Sequence, residues 1–188
     1  MRTFLALRCS VGATRRIAEA MEQRGAVMRD GGLRVAWIPP AKYHVTLKFF
    51  GEIPGESLDA ITLALRRRVA KDRPAPMTVR LKGLGVFPAD GPARVLWVGV
   101  DGGKPLAELQ RAVDSEMAEL GFPRAEHPFH PHLTVGRVVE GTVADWSSDA
   151  DFGEDTIGEI VVYESQLQQS HRTGAEYLAR ARVPFTKA

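Results

Sequence analysis

The chain has 188 residues, 44% of them hydrophobic and 26% charged, with a net charge of +2. This is an ordinary globular balance for one domain or two small lobes sharing a core, and a charge this small does not by itself point to nucleic acid. A single cysteine, Cys9, rules out an intrachain disulfide, and Arg8 breaks the first apolar run before it reaches signal-peptide length, so a cytoplasmic protein without a membrane partner is expected.

Residues 3–7 form an apolar run of strand length. Residues 13–23 set Ile17, Ala18 and Met21 at helical spacing, and Gly25 and Gly31-Gly32 break the chain after them. Residues 34–38 read as a strand stopped by Pro39-Pro40, and residues 43–49 alternate as a strand does. Residues 57–71 read as a helix capped by Ser57, with Leu58, Ile61, Leu65 and Val69 as its buried stripe. Residues 77–81 and 94–100 are strands joined by a Gly/Pro-rich stretch. Residues 104–120 are a helix ended by Gly121. Strands are expected at 132–139, 157–163 and 177–183, with the acidic stretch 145–155 as a solvated loop holding Trp146. Trp37 and Trp97 are expected in the core. The spacing is too irregular for a doubly wound parallel sheet. The expectation is α+β: mostly antiparallel sheet with outer helices.

One long-range regularity carries chemistry. His44-Val45-Thr46-Leu47 and His132-Leu133-Thr134-Val135 lie 88 residues apart, each on an expected strand after a proline-containing loop. Alternation puts His44 with Thr46, and His132 with Thr134, on one face of each strand. Two such strands facing each other bring two imidazoles and two hydroxyls to one place. In-line displacement at phosphorus needs that set: a base for the attacking oxygen, an acid for the departing one, and donors for the non-bridging oxygens. No metal or other cofactor is required. A third His-x-Thr, His171-Arg172-Thr173, lacks the apolar fourth residue and lies in a polar turn.

The segments FLAL, HVTLKFFGE, RVLWVGV, FHPHLTVGR and ESQLQQSHRTGAEY make the chain similar to the RNA 2′,3′-cyclic phosphodiesterase (2′-5′ RNA ligase-like) family of the 2H phosphoesterase superfamily. The resemblance runs nearly the whole chain. It implies a single bilobal domain of two pseudo-symmetric lobes around a V-shaped cleft. It also implies metal-independent hydrolysis of a 2′,3′-cyclic phosphate to a 2′-phosphomonoester, with 2′-5′ ligation in vitro in some members. The partner implied is RNA or an oligonucleotide with a 2′,3′-cyclic phosphate end, met by a monomer. Carried over, His44 is the proton donor to the leaving 3′ oxygen and His132 the base, while Thr46 and Thr134 hold the phosphate oxygens. The residues alone leave acid and base open.

Four further residues are candidate substrate contacts. Arg137 matches a family arginine, but strict alternation aims it away from His132, so a bulge is needed. Phe49 matches a family aromatic that stacks on a base, although alternation sets it with Val45 and Leu47. Lys48 shares the His44 face by alternation and so could meet an RNA phosphate. His130 is expected to support the site through a hydrogen bond. Arg66-Arg67-Arg68 reads as a solvated helix face. Two other readings fit parts of the sequence: a metal-dependent hydrolase using His127, His130 and His132, and a non-catalytic module that binds RNA ends.

Overall fold

The computed structural model describes residues 1–30, 32–143, 146–167 and 175–186. In chain order the elements are β1 (Arg2–Arg8), α1 (Val11–Asp30), β2 (Arg34–Trp37), β3 (His44–Glu52), α2 (Ser57–Asp72), β4 (Met77–Phe87), β5 (Val95–Asp101), α3 (Gly103–Glu119), β6 (His132–Glu140), β7 (Ser148–Ile157), β8 (Glu159–Leu167) and β9 (Ala175–Pro184). The architecture is α+β. Among the described residues every strand pairing is antiparallel, in the order β7-β4-β5-β6-β3-β1-β8-β9 with β2 on β6. Among the described residues no helix is long and apolar enough to cross a membrane.

The sheet has two halves, β7-β4-β5-β6 with β2, and β3-β1-β8-β9. They meet through one residue pair, Val45 opposite Leu133. Each half contains a strand followed by a helix and a later strand that starts with histidine (β1, α1, β3 and β5, α3, β6), with β2 inserted between α1 and β3. Behind the sheet, Leu5, Leu7, Val45, Leu47, Leu133 and Val135 join Ile17, Ile61, Leu65, Val113 and Met117 of the helices in one buried core. Apolar alternation thus turns one face of β3 and β6 into the core and leaves the His/Thr face free.

Four expectations need correction. Helix α1 runs to Asp30, through Gly25, because a β-carbon there would come within 3.1 Å of the Trp37 indole. That close packing of helix on ring outweighs the roughly 1 kcal/mol that glycine costs a helix. Ser57 is the first helical residue, not the cap; Glu56 precedes it with no side-chain cap bond, and Ile61, Leu65 and Val69 hold the helix by burial. The acidic stretch contains an edge strand, β7, on β4. Asp151 and Glu154 meet Arg80 of β4 on its exposed face, while Phe152, Asp155 and Ile157 are buried, Asp155 accepting the Ser10 N–H at 2.9 Å. Trp146 is buried, its indole N–H donating to the Gly85 carbonyl at 2.9 Å. The third His-x-Thr, at 171–173, lies outside the described residues.

Gly85 shows how tightly this half is packed, since a β-carbon there would overlap the Trp97 ring. Gly85→Ala is therefore expected to destabilise the fold by about 1–3 kcal/mol through overpacking, read as a lower thermal midpoint. An unchanged midpoint would mean that Trp97 is free to move.

Candidate active site

Strands β3 and β6 are built alike. Residue by residue from the histidine, each runs half-buried, buried, half-buried, buried, buried, exposed, half-buried, exposed, exposed. The reason is a bulge at the same place in each. On β3, Thr46 pairs with Ala6 but Lys48 pairs with the adjacent Leu5, which leaves Leu47 extra. On β6, Thr134 pairs with Trp97 but Gly136 pairs with the adjacent Leu96, which leaves Val135 extra. One extra residue reverses the parity of everything after it.

The four tetrad residues precede the bulge and keep their alternation. His44, Thr46, His132 and Thr134 are all half-buried on the open face. The Val45–Leu133 pair sets His44 beside Thr134 and His132 beside Thr46 across the junction. Each imidazole is fixed in the same way. His44 Nδ1 donates to the Lys42 carbonyl at 2.7 Å, and His132 Nδ1 donates to the His130 carbonyl at 2.7 Å. A carbonyl only accepts, so the proton stays on Nδ1 and Nε2 is the working nitrogen in both rings. Among the described residues neither threonine hydroxyl takes part in a hydrogen bond.

Aromatic rings surround both imidazoles. Phe4 lies 5.0 Å and Tyr177 5.4 Å from His44, centroid to centroid. Phe87 lies 5.0 Å and Trp97 6.3 Å from His132. Burial in these surroundings lowers both pKa values below that of an ordinary histidine, while the bond to the carbonyl raises them part of the way back. The charge of His132 lowers His44 further, and His130 does the same to His132. The His132 ring is thus close enough to His44 to oppose a positive charge there.

The bulges decide the remaining candidates. Arg137 turns onto the His132 face and is exposed, and among the described residues it has no ion-pair partner. Phe49 turns onto the His44 face, 67% exposed, with its ring 5.7 Å from Phe4. Lys48 does not share the His44 face, contrary to alternation. It turns behind the sheet and is 6% exposed, its Nζ 2.6 Å from Asp114 of α3 and 2.6 Å from the Pro123 carbonyl. His130 supports His132 through its backbone carbonyl; its ring instead packs 4.9 Å from Trp97. Trp97 is half-buried beside the site and not in the core. His127 is exposed, and among the described residues no three His, Cys, Asp or Glu side chains gather as a metal would need. The rival metal site therefore lacks a donor set. Sequence reasoning missed Phe4, Phe87, Tyr163 and Tyr177, which lie on other strands and meet the histidines only through the ladder.

Known proteins resemble this chain along most of its length. Residues 18–159 match the model of the 2′-5′ RNA ligase superfamily. A Methanothermobacter thermautotrophicus protein named RNA 2′,3′-cyclic phosphodiesterase is 30% identical over 177 residues, 93% of this chain and 92% of the other. The protein of that name from Methanocaldococcus jannaschii is 31% identical over 175 residues, 89% of this chain and 92% of its own. Among solved structures, TT0787 of Thermus thermophilus superposes with a TM-score of 0.80 at 28% identity, covering 100% of this chain and 99% of that one. Escherichia coli LigT complexed with 3′-AMP superposes with a TM-score of 0.79 at 22% identity, covering 99% and 98%.

Proposed function

The chain belongs to the 2′-5′ RNA ligase superfamily and, within it, to the RNA 2′,3′-cyclic phosphodiesterases of the 2H phosphoesterase type, and on that footing we propose that it hydrolyses 2′,3′-cyclic phosphate ends of RNA to 2′-phosphomonoesters with two histidines and no metal. The observation that carries this reading is the twin anchoring of His44 and His132, each with Nδ1 on a carbonyl and Nε2 left for proton transfer. His132 Nε2 takes a proton from water as the water oxygen bonds to phosphorus. The bond from phosphorus to the 3′ oxygen breaks on the opposite side, and His44 Nε2 gives that oxygen its proton. Thr46 and Thr134 donate to the non-bridging oxygens, where charge builds up. Arg137 pairs with the phosphate, and Phe49 offers a face to the terminal base. With a 5′-hydroxyl in place of water, the same displacement forms a 2′-5′ linkage.

Phosphorus NMR on adenosine 2′,3′-cyclic phosphate tests the proposal. The expected product is the 2′-monoester, formed at the same rate in EDTA. Loss of turnover on chelation, or a 3′-monoester, would overturn it.

The pH profile follows from the two lowered pKa values. Below both, each imidazole is charged and no base remains. Above both, each is neutral and no acid remains. The kcat/KM profile should therefore be a bell whose summit lies on the acid side of about pH 6.5, the ordinary histidine value. A rate still rising through pH 8 would contradict this.

A further inference from the structure

The reaction at phosphorus leaves one group of cleft residues idle. Arg8 ends β1 and lies opposite His44 in the ladder, so it shares the His44 face. It is half-buried, and among the described residues it has no ion-pair partner. Its charge acts on Tyr163 of β8, whereas the charge that acts on His44 is that of His132. Tyr163 belongs to β8, which pairs with β1 on the side away from β3, so the charge of Arg8 also reaches toward that side of the sheet. Arg182 and Glu159 reach the same tyrosine, but they are bound to each other at 2.6 Å, which leaves Arg8 as the uncommitted cation.

Around it lies an aromatic ledge. Tyr163 stacks on Phe4 at 5.3 Å, and Tyr177 of β9 meets Phe4 at 5.0 Å and His44 at 5.4 Å. Both tyrosines are half-buried, and Lys42 Nζ lies 5.9 Å from the centre of the Tyr177 ring. Strands lie about 4.8 Å apart, so a ledge on β1, β8 and β9 starts one to two strand spacings from His44, within reach of the next unit of a nucleotide chain. In the other half of the sheet the position that matches Arg8 carries no side chain. There Gly99 lies opposite His132, and a β-carbon on it would come 2.5 Å from the Lys82 carbonyl. Arg8 thus has no equivalent at the matching ladder position, and this difference between the two sides gives a bound strand a direction.

We propose that Arg8, with Tyr163 and Tyr177, forms a second subsite, for the phosphodiester and nucleoside on the 5′ side of the cyclic phosphate end. The guanidinium takes the phosphate and the rings take the base. The site is then built for an RNA strand, not a free cyclic mononucleotide. This rests on the functional reading above.

The test compares kcat/KM for adenosine 2′,3′-cyclic phosphate with kcat/KM for the diadenosine dinucleotide ending in the same group, in the wild type and in Arg8→Gln. The wild type should favour the dinucleotide by roughly tenfold, the scale of one charge-assisted hydrogen bond, and Arg8→Gln should remove most of that ratio. Titration of the dinucleotide 3′-phosphate in increasing salt gives a second readout: the slope of log Kd against log salt should fall by about 0.7 in the variant. Wild-type indifference to the second nucleotide, or a ratio and slope unchanged in Arg8→Gln, would overturn the subsite while leaving the phosphodiesterase reading intact. Failure of the wild type to hydrolyse either compound would sink that reading instead, and the titration would still decide the subsite.

Discussion

His132→Ala is expected to lower kcat/KM for cyclic phosphate hydrolysis on the order of 10²–10⁴-fold, the usual contribution of a positioned acid or base. The folded structure should survive, because Leu133 and Val135, fully buried, anchor β6 on the opposite face. His44→Ala is expected to fall in the same range. The double variant should be much less impaired than the product of the two single losses, since acid and base act on one displacement and neither is useful alone. Steady-state kinetics beside a thermal melt separates these effects. Near-wild-type turnover in either single variant, with the midpoint held, would remove the two-histidine mechanism.

The second large effect concerns stability. Lys48 and Asp114 form a buried pair with side chains 4% and 12% exposed. Asp114 Oδ1 also accepts the Ala125 N–H at 3.2 Å, and Arg124 lies 3.8 Å from Oδ2. Removing one partner strands the other charge in the interior, which costs about 3–5 kcal/mol. Lys48→Met should fall at the low end, because Asp114 keeps the Ala125 N–H and Arg124. Asp114→Leu should cost more, because Lys48 then has only the Pro123 carbonyl. For a chain of this length the loss corresponds to a thermal midpoint lower by roughly 10 °C. The double variant Lys48→Met/Asp114→Leu should recover most of it, since two apolar side chains of similar volume leave no buried charge. A single Lys48→Met variant as stable as the wild type would show that the pair is hydrated.

Much of this was legible in the residues. The two tetrads, their strands and the face each histidine shares with its threonine follow from period-2 alternation over four residues, and the structure keeps them. Helices α2 and α3 followed from apolar spacing, whereas only the middle of α1 did. Local pattern stopped being informative at Leu47 and Val135. A bulge is a mismatch between two strands, so nothing in either strand alone marks it. That one missing fact reversed Lys48, Phe49 and Arg137 together. Side by side, HVTLKFFGE and HLTVGRVVE do hold a clue: Lys48 aligns with Gly136 and Phe49 with Arg137, so whatever turns one pair must turn the other.

The acidic edge strand was hidden for a related reason. Strand β7 buries Phe152 and Ile157 and exposes charges that pair with Arg80, a partner about 70 positions earlier in the chain. Its composition reads as solvated loop because its stabilising contacts lie on β4. The rings around the histidines are likewise gathered from β1, β4, β5, β8 and β9.

By itself the amino-acid order determined which side chains can carry the chemistry and which face of its own strand each occupies, because both are properties of a few consecutive residues. Only the assembled sheet decided which of those faces meet, which lysine is buried and which arginine is left open to a ligand. Those outcomes depend on register between strands far apart in the chain, and register is set by the packing of the whole core.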